Sequence, residues 1–297
     1  MAPPTAPTTD GLLLVDKPAG VTSHDVVAAV RRGVRERRAG HAGTLDPFAT
    51  GLLVVLLGRA TRLLPHLAGE PKVYEAEIRF GAETDTEDLD GIVVREAPRP
   101  SLDVLRAAIP ALTGAIRQIP PAYSAKRVDG RRAYERARAG EEVTLPAVPI
   151  TVHAWELVGH DGPADAVETL RVRVTCGGGT YVRSLARDLA RAAGSAAHLG
   201  ALRRTQAGPF RVAEACTLAD LRDGIATVRP PLDALPHLPR EVVDAAGAAR
   251  LARGMDVPAT VAGDWAALVL DADGSLVALG ERNGSGRWQP RVVLRVA

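Results

Sequence analysis

GHAGTLDPFATGLLVVLLGRATR, residues 40–62, is the stretch around which this 297-residue chain is organised. Its second half contains an unbroken apolar run, Leu52–Leu57, which predicts a strand that is buried on both faces. Its first half, residues 40–47, has the glycine and polar content of a turn. Asp46 lies in this turn before Pro47, which biases the preceding residue away from the helical region. The stretch therefore predicts a carboxylate that is held in a fixed position beside a buried apolar strand.

The tripeptide at 45–47, Leu-Asp-Pro, has a second interpretation when it is taken alone. An aspartate that only caps a surface turn gives the same local sequence. The choice between a reactive carboxylate and a capping one therefore depends on the rest of the chain.

Composition narrows the class of protein. Hydrophobic residues make up 46% and aromatic residues 3%, so we expect a core of Ala, Val and Leu. The chain is long enough for one large and one small domain. No apolar run reaches the roughly 18 residues of a membrane span. Residues 1–10 lack the basic and apolar parts of a signal peptide and predict a disordered tail. The two cysteines fit neither a disulfide framework nor a metal site, and we expect a cytoplasmic protein.

Basic residues are clustered although the net charge is only +2. Residues 31–38 carry five Arg and one Glu, and residues 126–138 carry six basic and two acidic side chains. Either cluster alone fits a solvated helix face as well as a phosphate-binding surface. Lysine occurs only at positions 17, 72 and 126, although the chain has 37 basic residues. This bias indicates that Lys is kept where a compact, flexible charge is useful.

Local patterns predict several elements. Ser23 is predicted to cap a helix. Residues 72–80 alternate, so Tyr74 is expected to share a core-facing side of a strand with the other even-numbered residues. Residues 149–159 and 167–175 also alternate and predict paired strands. The acidic segment 83–90 lacks the spacing of a calcium loop and predicts a solvated turn.

A helix is predicted over residues 180–193, with arginines spaced four residues apart. Arg187 and Arg191 are expected to form a solvated or phosphate-facing stripe. Arg183 stands in the first turn, where a cation is unfavourable to the helix dipole. Its position therefore predicts a specific anionic partner.

Six motifs in fixed order carry a family resemblance. Together they resemble the signature of the TruB family of bacterial tRNA pseudouridine synthases, over roughly residues 11–222. The motifs are LLLVDKPAGVTSHDVV at 12–27, GHAGTLDPFATG at 40–51, KVYEAEIRFGAETDTEDLDG at 72–91, PPAYSAKRVDGRRAYERARAG at 120–140, GGTYVRSLARDLA at 178–190 and ALRRTQAGPF at 201–210.

The resemblance implies an α+β fold: a pseudouridine-synthase-like mixed, mostly antiparallel sheet with flanking helices, plus a small C-terminal PUA-like domain. After the tail it implies a catalytic domain at 11–225 and the small domain at 241–297, and the four prolines of residues 226–240 predict a linker between them. The polar, basic segment 120–148 reads as an insert that can move. The resemblance implies a flexible thumb there that closes on RNA.

The implied activity is isomerisation of uridine 55 in the T loop of tRNA, with a flipped-out base and Asp46 as the nucleophile. No cofactor or metal is implied, and the chain lacks a phosphate loop or dinucleotide fingerprint. The implied partner is the T stem-loop of tRNA, bound by a monomer without a protein partner. The other residues assigned by resemblance are Tyr74 and Arg183 as catalytic residues, with His41, Lys17 at the pocket rim, Tyr181 and Leu202 as substrate-binding residues. The basic cluster of the insert adds Lys126, Arg131 and Arg132 as substrate-binding residues, because such a cluster suits phosphate contact.

Two other functions stay open at this point. A non-catalytic tRNA-binding or tRNA-folding protein would share the motifs, although an altered Asp46 would then be expected. A synthase subunit guided by a separate RNA would be favoured by an archaeal or eukaryotic type of C-terminal domain, which this short, near-neutral tail does not resemble. Whether Asp46 attacks the base or starts an elimination at the sugar is also left open.

Overall fold

A computed structural model describes residues 9–124 and 145–295, together with the backbone of residues 127–128 and 131–132. Several predictions lie outside these described residues. They concern most of the tail at 1–10, most of the insert at 120–148, and the side chains of Lys126, Arg131 and Arg132.

Strands dominate the described part of the chain, and the helices are short. The helices are α1 (Ser23–Gly33), α2 (Leu102–Ala108), α3 (Val182–Ala192), α4 (Leu218–Asp223) and α5 (Ala245–Ala252). None of them is both long and apolar enough to cross a membrane. The strands are β1 (Gly11–Lys17), β2 (Ala39–Ala42), β3 (Thr50–Leu57), β4 (Lys72–Phe80), β5 (Ala82–Thr84), β6 (Val93–Glu96), β7 (Gly114–Gln118), β8 (Arg127–Val128), β9 (Arg131–Arg132), β10 (Val148–Asp161), β11 (Thr169–Cys176), β12 (Ala197–Ala207), β13 (Phe210–Arg211), β14 (Arg240–Val243), β15 (Trp265–Leu270), β16 (Leu276–Arg282) and β17 (Trp288–Val293).

A nine-stranded, mostly antiparallel sheet forms the centre of the molecule. Its strands lie in the order β1-β3-β12-β4-β11-β10-β7, with β2 added to β3 and β13 added to β12. Within this sheet only the contact between β3 and β12 is parallel. The predicted pairing of the strands at 149–159 and 167–175 is confirmed by the antiparallel ladder of β10 and β11. The α+β class with a mixed, mostly antiparallel sheet is confirmed.

Strand β3 is the buried centre of one half of the sheet, as its sequence predicts. Every residue of Leu52–Leu57 is fully buried. Residues 40–42, predicted to lie in a turn, instead belong to β2 and pair with Val54–Leu56. The reason is that β12 covers β3 only near Thr50 and Gly51, so the rest of that edge needs another backbone partner.

Glycine is required where β3 meets β12. Gly51 has φ of +100°, and a Cβ there would lie 2.3 Å from the carbonyl oxygen of Arg204. A side chain at this position would push the two strands apart. The close parallel contact brings the residues around Arg204 beside the loop that precedes β3.

The predicted alternation in β4 is confirmed. Tyr74, Ala76, Ile78 and Phe80 are all buried, and they belong to the same core cluster as residues of α3. This face of β4 therefore points toward the helix that begins at Val182.

The C-terminal region forms a second, four-stranded sheet in the order β14-β15-β16-β17, with α5 packed on it. The segment 226–240, predicted as a linker, packs against the large sheet. The backbones of Leu12 and Arg229 exchange two hydrogen bonds of 2.9 and 2.8 Å, and Leu235 is buried. Leu276 of the small sheet shares a core cluster with Leu12. The assignment of 241–297 as PUA-like stays a prediction.

Candidate active site

The backbone of the Asp46 loop is anchored to helix α1 through Ser23. The Ser23 hydroxyl accepts from the backbone N–H of Leu45 at 2.9 Å and donates to the Leu45 carbonyl at 3.0 Å. The prediction that Ser23 caps the helix is wrong, because Thr22 is the N-cap and forms a capping box with Asp25. Ser23 is buried and free to hold the neighbouring loop.

Lys17 also anchors the Asp46 loop, through the carbonyl of Pro47. It is fully buried, and its ammonium group donates to the carbonyls of Pro18, Val21 and Pro47 at 3.0, 2.7 and 3.1 Å. Burial lowers the pKa of Lys17 to about 8, while the charge of Asp46 opposes the shift. The sequence placed Lys17 at the rim of the pocket. The structure corrects this, because all three of its donors bond to protein carbonyls.

The carboxylate of Asp46 meets the guanidinium of Arg183, as the position of that arginine in α3 predicts. Nε of Arg183 lies 2.9 Å from Oδ2, and Nη2 donates to Oδ1 at 3.2 Å. Arg183 is almost fully buried, whereas about a third of the Asp46 side chain is exposed. The carboxylate is therefore held by a fixed cation and still faces the cavity.

Both terminal nitrogens of Arg183 also donate to backbone carbonyls, which fixes its position. Nη1 donates to the carbonyl of Thr86 at 2.8 Å, and Nη2 donates to that of Tyr123 at 3.0 Å. The carboxylate of Asp88 lies 3.5 Å from Nη1. Burial raises the pKa of Asp88, against the opposing effect of its hydrogen bond from Thr86. Asp88 is thus a second acidic neighbour of Arg183 that sequence reasoning missed.

The acidic segment 83–90 is not a solvated turn. Glu87 is buried, has φ of +61°, and forms an ion pair with Arg187. Its carboxylate also accepts from the hydroxyl of Ser184 at 2.8 Å. The prediction of a solvated stripe on α3 is therefore wrong for Arg187, because a buried acid supplies the partner that permits its burial. Arg191 is half-exposed and pairs with Glu83.

A small cavity of about 250 Å³ opens beside Asp46. It is smaller than the roughly 300–1,000 Å³ of sites for drug-sized molecules, which suits a single nucleobase. Tyr74, Tyr181 and Leu202 line it together with Arg183. Burial raises the pKa of Tyr74, whereas the charge and hydrogen bond of Arg204 oppose the shift. The phenol is therefore neutral at physiological pH and able to donate or accept a hydrogen bond.

Tyr181 is positioned by a buried glutamine that the sequence did not single out. Gln118 is fully buried at the end of β7. Its side chain donates to the Tyr181 carbonyl at 3.0 Å and accepts from the Tyr181 N–H at 2.9 Å. Burial raises the pKa of Tyr181, against a hydrogen bond with Ser124. The start of α3 is therefore locked to β7, and Arg183 with it.

His41 lies beside the Asp46 cavity and not in it. It lines a larger neighbouring cavity of about 750 Å³, and its ring meets that of His24 edge-on at 5.7 Å. Burial, followed by the charges of His24 and Arg204, lowers the pKa of His41. The imidazole is therefore neutral near pH 7.

The structure thus brings Asp46, Tyr74, Arg183, Tyr181 and Leu202 to one cavity, and places His41 next to it. Sequence reasoning missed the supporting residues because buried polar side chains carry no local periodic signal. One feature of the sequence pointed to Arg204: it lies two residues after Leu202, on the side of the strand that otherwise faces the core. In the described part of the chain, no group of three or more His, Cys, Asp or Glu side chains is placed to hold a metal ion.

Two family profiles match adjacent parts of the chain. The "TruB family pseudouridylate synthase (N terminal domain)" matches residues 31–182, and the "tRNA pseudouridylate synthase B C-terminal domain" matches residues 183–238. A "tRNA pseudouridine synthase B" of Thermobifida fusca is 48% identical and covers 96% of this chain and 98% of its own. One of Aromatoleum aromaticum is 46% identical, covering 97% and 94%.

Solved structures share the fold. A chain of a "Cbf5-Nop10-Gar1 Complex" superposes with a TM-score of 0.69 and 27% identity, covering 96% of this chain and 84% of its own. A chain of an "H/ACA RNP bound to a substrate RNA containing 2'-deoxyuridine" gives a TM-score of 0.68 and 26% identity, with the same two coverages.

Proposed function

This chain belongs to the TruB family and isomerises uridine in tRNA to pseudouridine, and on that premise we propose that its target is uridine 55 of the T loop with Asp46 as the nucleophile. The reaction breaks the C1′–N1 bond of the nucleotide and joins C1′ to C5 of the same base. The proton at C5 is lost and N1 gains one, so substrate and product are isomers. No redox partner or energy source is needed.

The pairing of Asp46 with Arg183 is the observation that carries this proposal. A nucleophilic carboxylate has to be ionised, oriented and accessible at the same time. Arg183 contacts both oxygens of Asp46, and the exposed part of the carboxylate faces the small cavity. A base taken out of the RNA stack could enter this cavity and meet the carboxylate at its mouth.

Tyr74 and Leu202 supply the apolar walls of the cavity. The Tyr74 ring offers a stacking surface for the flipped base, and stacking on an aromatic side chain is worth about 1–3 kcal/mol per base. Its neutral hydroxyl, bonded to Arg204, is placed to exchange a proton with the base or the ribose. We assign Tyr74 this second role as well, and the variants described below separate the two.

The proposed RNA-binding surface includes Lys126, Arg131 and Arg132. Their sequence segment is basic and weakly apolar, and each phosphate contact contributes to affinity in a salt-dependent manner. Reversing the charge of Arg131 and Arg132 should weaken tRNA binding and flatten its dependence on salt. Slower amide exchange across 120–148 in the complex would support the proposal that this insert orders on RNA. Equal exchange with and without tRNA would count against it.

We further propose that the protein works in the cytoplasm, alone and as a monomer on the T stem-loop. The Thermobifida and Aromatoleum relatives are described as tRNA pseudouridine synthases, and they match over almost their whole length. The structural neighbours come from complexes with other proteins, so the RNA-guided alternative has a specific observation behind it. Identity of 26–27% to those chains against 46–48% to the relatives favours the stand-alone enzyme.

One assay decides among the three functions. Purified protein is incubated with unmodified tRNA in the absence of any other macromolecule, and pseudouridine is mapped to the nucleotide. Pseudouridine at position 55 alone is the expected result. Binding without turnover would identify a non-catalytic protein, and turnover only after addition of a guide RNA and partner proteins would identify a guided subunit.

A further inference from the structure

Lys72 is a cation that the functional site described above does not use. Lysine is rare in this chain, and the ammonium group of Lys17 already donates its hydrogen bonds to three carbonyls inside the protein. Lys72 opens strand β4 two residues before Tyr74. Because side chains two apart in a strand point to the same face, Lys72 lies on the side of β4 that faces the catalytic cavity.

Lys72 stands at the junction of two cavities. The small cavity beside Asp46 and the larger one beside His41 are both lined by Lys72 and by Gly43. Their volumes are about 250 and 750 Å³. An RNA strand that places one base beside Asp46 would continue past this junction into the larger space.

Two cations converge on Gly43 at that junction. A Cβ at Gly43 would lie 3.4 Å from Nη1 of Arg204 and 3.5 Å from Nζ of Lys72. The hydrogen bonds of Arg204 go to neutral groups, namely the carbonyls of Leu52 and Gly43 and the Tyr74 hydroxyl. The side chain of Lys72 makes no hydrogen bond and no ion pair with any described residue.

Among the described residues, no carboxylate forms an ion pair with Lys72 or Arg204. Asp46 is engaged with Arg183. The charge of Glu70 acts on Lys72, but its carboxylate lies against the glycine turn before α3, where a Cβ at Gly178 would come within 2.1 Å of it. Burial and the charge of Arg204 lower the pKa of Lys72 against the opposing charge of Glu70, so a bound anion would further stabilise the charged amine.

We propose that Lys72, backed by Arg204, binds a phosphodiester group that directly adjoins the uridine bound beside Asp46. The inference rests on the proposed function, in that it takes RNA as the ligand of this site. A mobile ammonium group suits a phosphate as a point charge, whereas the rigid fork of Arg204 is already fixed by the protein. Glycine at position 43 leaves the space between the two cations open for phosphate oxygens.

A binding cycle tests the contact. The variant Lys72→Met removes the charge with little change in length. T-arm hairpins carry a single neutral methylphosphonate either 5′ or 3′ of the target uridine. Lys72→Met should weaken binding of the unmodified hairpin by roughly 10- to 100-fold, the range of a hydrogen bond between charged groups. The salt slope should fall by about 0.7, as for one lost single-strand phosphate contact.

The decisive result is non-additivity. At one of the two positions the methylphosphonate should weaken wild-type binding to a similar extent, and should weaken Lys72→Met no further. Losses that multiply at both positions, or normal binding by Lys72→Met, would overturn the proposal. Lys72→Arg should restore most of the affinity.

Arg253→Met is the matched control. Arg253 lies in the C-terminal region, its side chain is exposed, and it forms no ion pair with any described residue. This variant should bind like wild type, and thermal midpoints of all variants report any loss of folding. The cycle measures binding, whereas the proposed function is tested by mapping turnover of the wild type. Turnover at a different uridine would reject uridine 55, and the cycle would then be read at the phosphates of that nucleotide.

Discussion

Arg183 and Asp46 are 137 positions apart in sequence, and their side chains meet through two contacts of 2.9 and 3.2 Å. The cation lies in the first turn of a helix, where it opposes the helix dipole, and is almost fully buried. Both features are unfavourable for an unpaired arginine. The carboxylate offsets them, and in return the arginine fixes the carboxylate in the lining of the cavity.

Replacing the proposed nucleophile should separate chemistry from binding. Asp46→Asn keeps the shape of the side chain and removes its negative charge, so turnover should be abolished while tRNA affinity stays close to wild type. Single-turnover kinetics and a filter-binding titration measure the two quantities. Turnover near the wild-type rate in Asp46→Asn would remove Asp46 from the role of nucleophile.

The geometry of the arginine should matter as well as its charge. Arg183→Lys cannot reach Asp46, Thr86 and Tyr123 together, because an ammonium group lacks the planar fork. We expect the single-turnover rate to fall by roughly 10²–10³-fold, as when one preorganised donor is removed from an active site. Arg191→Lys, two turns along the same helix and half-exposed, is the control and should react normally. Equal rates for the two variants would contradict the assignment.

Two substitutions distinguish the roles of Tyr74. If its hydroxyl takes part in proton transfer, Tyr74→Phe should lower the single-turnover rate by roughly 10²–10⁴-fold with near-normal tRNA affinity. If the ring only stacks, Tyr74→Phe should react almost like wild type and Tyr74→Leu should be slow. We expect the first outcome. A lowered thermal midpoint in Tyr74→Leu without a change in rate would instead indicate a purely structural residue.

Lys17 should make stability depend on pH in the alkaline range. Its pKa is about 8 in the folded protein against 10.5 for the free side chain. Between these values the unfolded chain binds more protons, so the free energy of unfolding should rise as the pH rises from about 8 to 10.5. The rise should be on the order of 3 kcal/mol, measured by denaturant titration relative to Lys17→Met. A difference that stays constant over this range would mean that the three carbonyls keep Lys17 at its ordinary pKa.

The buried pair of Arg187 and Glu87 should contribute to stability far more than a surface pair does. Arg187→Leu leaves Glu87 buried without its cation and should lower the free energy of unfolding by about 3–5 kcal/mol. Arg191→Leu, which breaks the more exposed pair with Glu83, should cost no more than about 1 kcal/mol. Burial raises the pKa of Glu87 even with Arg187 present, so the loss should shrink where the acid is protonated. Similar losses for both variants at pH 7 would contradict this account.

The sequence by itself determined the elements whose side chains are sorted by local pattern. The apolar run of Leu52–Leu57 is buried on both faces, and the even-numbered side of 72–80 is buried, because exposure to water repeats with the period of the strand. The position of Arg183 in the first helical turn also predicted an anionic partner, and that partner is Asp46. These predictions depend on neighbours within a few residues.

Only the tertiary structure decided which of the other charged side chains are buried and which partners they bind. A charged residue is expected at the surface unless a partner and hydrogen bonds are supplied from elsewhere. Glu87 and Arg187 are 100 residues apart, and Lys17 meets the carbonyl of Pro47 across 30. Which acid faces which base is set by how strands and helices pack, so residues predicted to be solvated became the buried supports of the Asp46 cavity.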